Sequence, residues 1–288
     1  MLKRLLCVVG LLLTTTFLAA GEPVKGNLVL IGGGRRPRPV MEKFIALAGG
    51  PGASIVVIPT ASGEPGTGAE TVATFTKDYR CTDVTALEIH NRQDASRPAF
   101  VKAIRNAGGI YFAGGDQRRI MDAFDGSPAA AALVEAYRAG AAIAGTSAGT
   151  ACQSRLMITG DGDFKVITAD NVQMRPGLGL APADVIVDQH FVKRQRENRL
   201  ISVVLEHPQD LGIGIDEATA VWFKPDHTFQ VLGDGWVVVL DASHATVTRR
   251  AVAGGRAHLG VHGLRVDVLQ RGERYDLAHR RPLVAASD

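Results

Sequence analysis

The sequence predicts an α/β protein, a three-layer α/β/α sandwich whose mainly parallel sheet is covered on both faces. Three observations carry this. Short, continuously apolar runs recur along the first half of the chain, as strands buried on both faces require. Helix-length segments separate them, the alternation that builds parallel sheets. Glycine-rich turns follow four of the runs, at the strand ends where such sheets bind ligands.

Asn27–Ile31 is the first buried strand, closed by the tight turn Gly32-Gly33-Gly34. That turn lacks the spacing of a dinucleotide fingerprint, and Arg35-Arg36-Pro37 stands where a phosphate-binding helix should start, so a cofactor fold is rejected. Ser54–Pro59, Val84–Ile89 and Gly109–Phe112 are the next strands, and Ala141–Ala144 is the fifth. Val40–Ala48, Glu70–Tyr79, Pro98–Asn106 and Ala129–Ala139 are the intervening helices. The last third changes character: Ala218–Phe223, Thr228–Leu232 and Trp236–Leu240 alternate and are split by Lys224-Pro225-Asp226-His227 and Gly233-Asp234-Gly235, which predicts C-terminal β-hairpins. Leu264–Leu269 is a further strand.

Met1-Leu2-Lys3-Arg4 is a basic start, Leu5–Ala20 is apolar apart from three threonines, and Ala19, Ala20 and Gly21 offer a cleavage site. Residues 1–20 are therefore expected to be a signal peptide and 21–288 a single catalytic domain, exported to the periplasm or beyond. The apolar run falls short of the roughly 20 residues of a bilayer span, so a cleaved leader with no stable membrane partner is expected and a retained membrane anchor is the alternative. Lys3 and Arg4 supply two of the charges in the net +3, leaving a nearly neutral mature chain without basic runs. A nucleic-acid binder is excluded on that ground. Only Cys81 and Cys152 follow the leader, and two packed thiols are expected rather than a disulfide framework. Neither has metal-ligand spacing, so no metal or other cofactor is expected.

Gly145-Thr146-Ser147-Ala148-Gly149 follows the fifth strand and precedes a stretch able to form a helix. That order suits a nucleophile elbow, with Ser147 on a strained turn and the helix N–H groups aimed at a developing oxyanion. The plainer reading is a small-residue turn in an alanine-rich chain. A serine needs a base, and the base an orienting carboxylate. Of eight histidines, only His190 lies in a segment dense in functional types, Asp188-Gln189-His190-Phe191 through Arg199, after the apolar run Val185–Val187. A helix N-terminus capped by Asp188 is the competing reading. If the segment is helical, Arg194 lies on the face of His190, roughly 40° around the axis, and suits a carboxylate clamp; Arg196 and Arg199 share another face. Asp216 and Glu217 both follow Gly212–Ile215, and the residues alone do not choose between them as the third member.

Taken together, the chain resembles the cyanophycinase branch of the S51 serine peptidases. The matching pieces are Gly114-Gly115-Asp116-Gln117, the Ser147 pentapeptide, Ser154–Ile158, Gly177–Leu180, Asp188–Phe191 with its three arginines, Gly212–Glu217, Val268–Gly272 and Tyr275–Leu277, in order over essentially the whole mature chain. The resemblance implies a class I glutamine-amidotransferase-like sandwich and a triad of Ser147, His190 and Glu217, with Asp216 a structural neighbour. It implies an oxyanion hole from the N–H groups of Ala148 and Gly115. It places Gln117, Asp188, Gln189, Arg194, Arg196 and Arg199 around the substrate. The implied substrate is cyanophycin, an aspartate backbone bearing an arginine on each side-chain carboxyl, cut along that backbone to β-Asp-Arg dipeptides. A homodimer is implied as well. Two departures stand out: Thr150 where the family usually has alanine, and Arg35-Arg36-Pro37-Arg38 where it often has an acid. The alternatives are an aspartyl dipeptidase of the same superfamily and an α/β-hydrolase esterase using His258 or His262. The esterase lacks a His-Gly-Gly-Gly loop here. An exported binding protein with a dead site is the non-enzymatic reading.

Overall fold

The computed structural model describes residues 24–283, and the expected leader lies outside them. The first half alternates: β1 (Asn27–Ile31), α1 (Arg38–Leu47), β2 (Ser54–Ile58), α2 (Thr67–Tyr79), β3 (Asp83–Ala86), α3 (Pro98–Asn106), β4 (Gly109–Phe112), α4 (Gln117–Phe124), α5 (Pro128–Ala139), β5 (Ala142–Thr146) and the short α6 (Ala148–Ala151). Then come β6 (Leu156–Ile158), β7 (Met174–Pro176), β8 (Val185–Gln189), α7 (Glu197–Glu206) and β9 (Leu211–Ile215). The remainder is strand: β10 (Thr219–Phe223), β11 (Thr228–Gly233), β12 (Val237–Asp241), β13 (Thr246–Arg250), β14 (His258–His262), β15 (Arg265–Leu269), β16 (Arg274–Asp276) and β17 (Arg281–Leu283).

The main sheet has nine strands in the order β17-β16-β11-β10-β1-β5-β4-β2-β3. From β1 to β3 every neighbouring pair is parallel, while β10, β11, β16 and β17 extend it antiparallel. The alternation of Cβ directions divides each parallel strand between two cores. Val29, Ile55, Val57 and Tyr111 face α1 and α2, where Phe44, Phe75 and Tyr111 pack ring to ring. Leu28, Leu30, Val56 and Ile110 face the other way, against Ile104, Ile120 and Leu133 of α3, α4 and α5. Both faces being covered is why these strands read as unbroken apolar runs.

A second sheet, β15-β12-β9-β8, adds Val185, Val187, Ile213, Val237 and Val239 to the larger core. Its other face carries Ile186 and Leu240 against Leu200, Val203 and Val204 of α7. The hairpin expectation holds for β10 and β11 and fails for β12. Strand β11 is already flanked by β10 and β16, so β12 crosses to pair with β9 and β15. The parallel β8–β9 pair brings the strand ends carrying the sequence's histidine and acidic candidates side by side. Cys81 and Cys152 are buried and free, as expected of packed thiols, and burial raises both thiol pKa values. Among the described residues, no helix is long and apolar enough to cross a membrane.

Candidate active site

Strand β5 and helix α6 meet at Ser147, whose backbone sits at φ 54°, ψ −112°. A non-glycine residue is strained there and persists only where its surroundings fix it. The glycines on either side permit the approach. A Cβ on Gly145 would overlap the Gly149 carbonyl, and one on Gly149 would stand 2.7 Å from Phe112 Cβ. Ser147 N–H donates to Ile31 O at 3.0 Å. The buried Thr150 hydroxyl lies 2.7 Å from Ile31 O and 2.8 Å from Gly145 O, sharing its one hydrogen between them. Thr150 thus ties β1, β5 and α6 together beneath the serine.

His190 follows β8 at φ 50°, and its N–H donates to Gly32 O at 2.7 Å. Its Nε2 lies 2.8 Å from Ser147 Oγ and its Nδ1 2.6 Å from Glu217 Oε1. A carboxylate only accepts, so Nδ1–H donates to Glu217 and the Nε2 lone pair accepts the serine hydroxyl. Burial holds the imidazole pKa below that of an ordinary histidine, and the nearby Arg194 and Arg196 charges add to this, while the Glu217 hydrogen bond opposes it. Neutral His190 is the form a general base needs.

Asp216 turns the other way from Glu217: its Oδ1 accepts the Lys193 N–H at 2.9 Å. The Gly32-Gly33-Gly34 turn, read from sequence only as a strand end, forms the surface on which the pair lies. A Cβ on Gly33 would overlap the His190 ring, and one on Gly34 would stand 2.8 Å from Glu217 Oε2. Three consecutive glycines after the first strand were the available signal.

Ala148 is the first residue of α6, where the backbone N–H lies ahead of the helix's own hydrogen bonds, which begin with Thr150 and Ala151 N–H donating to Ser147 O. The Gly114–Gly115 turn flanks Ser147, a Cβ on Gly114 falling 3.4 Å from Ser147 Cβ. Gln117 donates its amide to Ile158 O and Thr159 O at 2.9 and 2.8 Å. The expected helix after His190 is absent: residues 191–195 are turns and α7 starts at Glu197. His190 and Gln195 both take positive φ, and Phe191 is drawn into the core against Gly214, which a continuing helix could not satisfy. A single bond from Arg194 N–H to His190 O still returns Arg194 to the site, its Nε 3.8 Å from Glu217 Oε1 and its side chain about half exposed.

Asp188 is not a helix cap. It and Arg199 are each 1% exposed and form a buried ion pair through Arg199 Nε and Nη2, so both stand behind the site wall rather than facing substrate. Phe164 covers the Arg199 guanidinium, 4.4 Å from its ring centre. Arg196 donates to Gln189 O and Oε1 at 2.8 and 2.7 Å, and burial lowers its pKa to about 10. Gln189 is thereby engaged by Arg196 and nearly buried. His258 and His262 lie on the separate β13–β14 pair. Among the described residues, no cluster of His, Cys, Asp or Glu is arranged to hold a metal.

A serine, a histidine and a carboxylate hydrogen-bonded in this sequence, just beyond the carboxyl ends of β5, β8 and β9, are the parts that serine-type hydrolases assemble. The chain belongs to peptidase family S51, whose profile matches residues 28–231. It is 36% identical to the cyanophycinase of Nostoc sp. over 269 residues, covering 92% of this chain and 90% of that one. The cyanophycinase of Geminocystis herdmanii is 30% identical over 264 residues, covering 90% and 97% of the two chains. Among solved structures, a peptidase from an acI-B1 actinobacterium superposes with a TM-score of 0.67 at 26% identity, covering 89% of this chain and 98% of its own. A putative peptidase E from Listeria monocytogenes shares the fold, with a TM-score of 0.53 at 20% identity over 72% and 98% of the chains.

Proposed function

We propose that this S51 peptidase hydrolyses cyanophycin at its backbone peptide bonds and releases β-Asp-Arg dipeptides. The observation that carries the reading is the Ser147–His190–Glu217 hydrogen-bond chain in a protein similar to cyanophycinases over nine-tenths of its length. Ser147 Oγ attacks the scissile carbonyl as its proton passes to His190 Nε2, while Glu217 holds the imidazole's tautomer. The N–H groups of Ala148 and Gly115 receive the oxyanion. The imidazolium then protonates the leaving amine, and a water activated by the same histidine hydrolyses the acyl-enzyme. Arg194, half exposed beside Glu217, is the arginine placed to meet a substrate carboxylate. Gln117, Gln189 and Arg196 shape the wall through the contacts described.

The reaction is placed outside the cytoplasm, after removal of residues 1–20. The basic start, apolar run and small residues of that segment support the placement. Sequencing the N-terminus of the protein recovered from periplasm and medium tests it. A homodimer belongs to the same reading, and light scattering on the mature protein measures it. The deciding assay gives the mature protein cyanophycin, α-linked Asp-Arg peptides and an aryl ester. Soluble β-Asp-Arg from the polymer supports the proposal. Cleavage of small α-peptides alone would replace it with an aspartyl dipeptidase, and ester hydrolysis alone with an esterase.

A further inference from the structure

A cavity of about 240 Å³ lies between α1, α2 and β4, with the Arg35-Arg36 loop beside it. Arg35 and Arg36 stand at its mouth, Met41 and Phe75 supply apolar wall, and Tyr111 and Asp78 complete the lining used here. The volume is below the roughly 300 Å³ at which drug-sized sites begin, and suits one amino-acid-sized group.

Its polar groups are incompletely matched within the protein. Arg35 is occupied by Asp234 at 2.7 Å. Among the described residues, Arg36 has no carboxylate within ion-pair distance; the Tyr111 phenol is the main group acting on it. Tyr111 Oη is fully buried and faces the Arg36 guanidinium without a hydrogen bond of normal geometry, an arrangement that a ligand oxygen held by both groups would complete. Asp78 is exposed, and among the described residues its carboxylate forms no ion pair. An unmatched cation over a buried hydroxyl, an unmatched anion and apolar wall between them describe a ligand with a carboxylate, a cationic end and a hydrocarbon stem.

The loop at the mouth of the cavity continues the glycine turn on which Glu217 rests. Arg36 follows Gly34 by two residues, a span of at most about 7 Å, and a Cβ on Gly34 would stand 2.8 Å from Glu217 Oε2. We propose that this cavity is a subsite for an arginyl group of the substrate. Its α-carboxylate meets Arg36 and Tyr111, its guanidinium meets Asp78, and its methylenes lie along Met41 and Phe75. The assignment rests on the cyanophycin reading, in which every pendant arginine has a free α-carboxylate and a blocked α-amino group.

Binding without turnover separates the two proposals. The mature chain carrying Ser147→Ala is titrated calorimetrically with Nα-acetyl-L-arginine, its amide, Nα-acetyl-L-citrulline and free L-arginine. Nα-acetyl-L-arginine is expected to bind at least about fivefold more tightly than the amide or the citrulline compound, as loss of one charged contact implies. Adding Arg36→Ala is expected to erase the preference over the amide, and Asp78→Asn the preference over citrulline, each leaving the other. Both positions are exposed, and the thermal midpoint of each variant checks its fold. No detectable binding, preferences that survive both substitutions, or tighter binding of free L-arginine would overturn the subsite, the last pointing to a free amino acid as ligand. The expected pattern in a protein that leaves cyanophycin uncut would keep the subsite and remove the polymer reading. Polymer cleavage without the pattern would do the reverse.

Discussion

The His190 imidazole rests directly on Gly33, with no room for a Cβ between the first strand's turn and the ring. Gly33 also sits at φ 108°, a conformation that side chains rarely adopt. Gly33→Ala is therefore expected to displace the imidazole from Ser147 and lower kcat at least about 100-fold, since a misplacement near 1 Å has that cost. Near-wild-type kcat in a folded Gly33→Ala protein would show that the ring position is not set by this contact.

Ser147→Ala should lower kcat by about 10⁶ and leave the fold intact, as measured by circular dichroism. Glu217→Gln should lower kcat by about 10⁴, because a neutral amide no longer holds the Nδ1–H tautomer. Asp216→Asn should leave the chemistry far less affected, its carboxylate being bonded to the Lys193 N–H. Equal losses at Asp216 and Glu217 would contradict the division of roles.

Activity requires neutral His190, and burial lowers its pKa from the ordinary 6.5. The acid limb of kcat/KM is thus expected below pH 6.5, with rate lost as pH falls through the lowered value. Arg194 contributes to the lowering, so Arg194→Ala should move the limb to higher pH. The same sign governs stability: the unfolded chain binds this proton more readily, so the histidine's contribution is full above pH 6.5 and declines on acidification. An unmoved limb in Arg194→Ala would separate that guanidinium from the base.

Breaking the Asp188–Arg199 pair leaves one buried charge uncompensated. Asp188→Leu or Arg199→Met alone should destabilise by about 3–5 kcal/mol, while the double substitution should recover most of it. Urea midpoints measure both. Single variants of normal stability with lost activity would instead place these side chains on substrate.

Thr150→Ala should cost about 1–2 kcal/mol by removing the hydroxyl shared between Ile31 O and Gly145 O. Its kcat should stay within a few fold of wild type. A neutral change in the urea midpoint would mean that the hydroxyl contributes nothing net.

The parallel half of the fold was legible because its signals are local. Asn27–Ile31 and Gly109–Phe112 begin and end where the apolar runs do, since strands buried on both faces contain little else. The exposed β13 strand, Thr-Val-Thr-Arg-Arg, has no apolar alternation to read and was missed. Ser147 stood out because two glycines bracket it, and close backbone approach demands glycine. His190 and Glu217 stood out by residue type near strand ends, with the choice of Glu217 over Asp216 coming from the family pattern.

The sequence alone determined which strands are buried, which turn carries the serine and which segments hold its partners. Only the tertiary structure decided that β12 leaves β11, that the segment after His190 is turns, and that Asp188 and Arg199 are sealed together. It also decided that Gly33 and Gly34 shape the site. The reason is physical: apolar periodicity and glycine placement act within a few residues, whereas strand pairing, charge burial and the seat of an imidazole depend on atoms far apart in the chain.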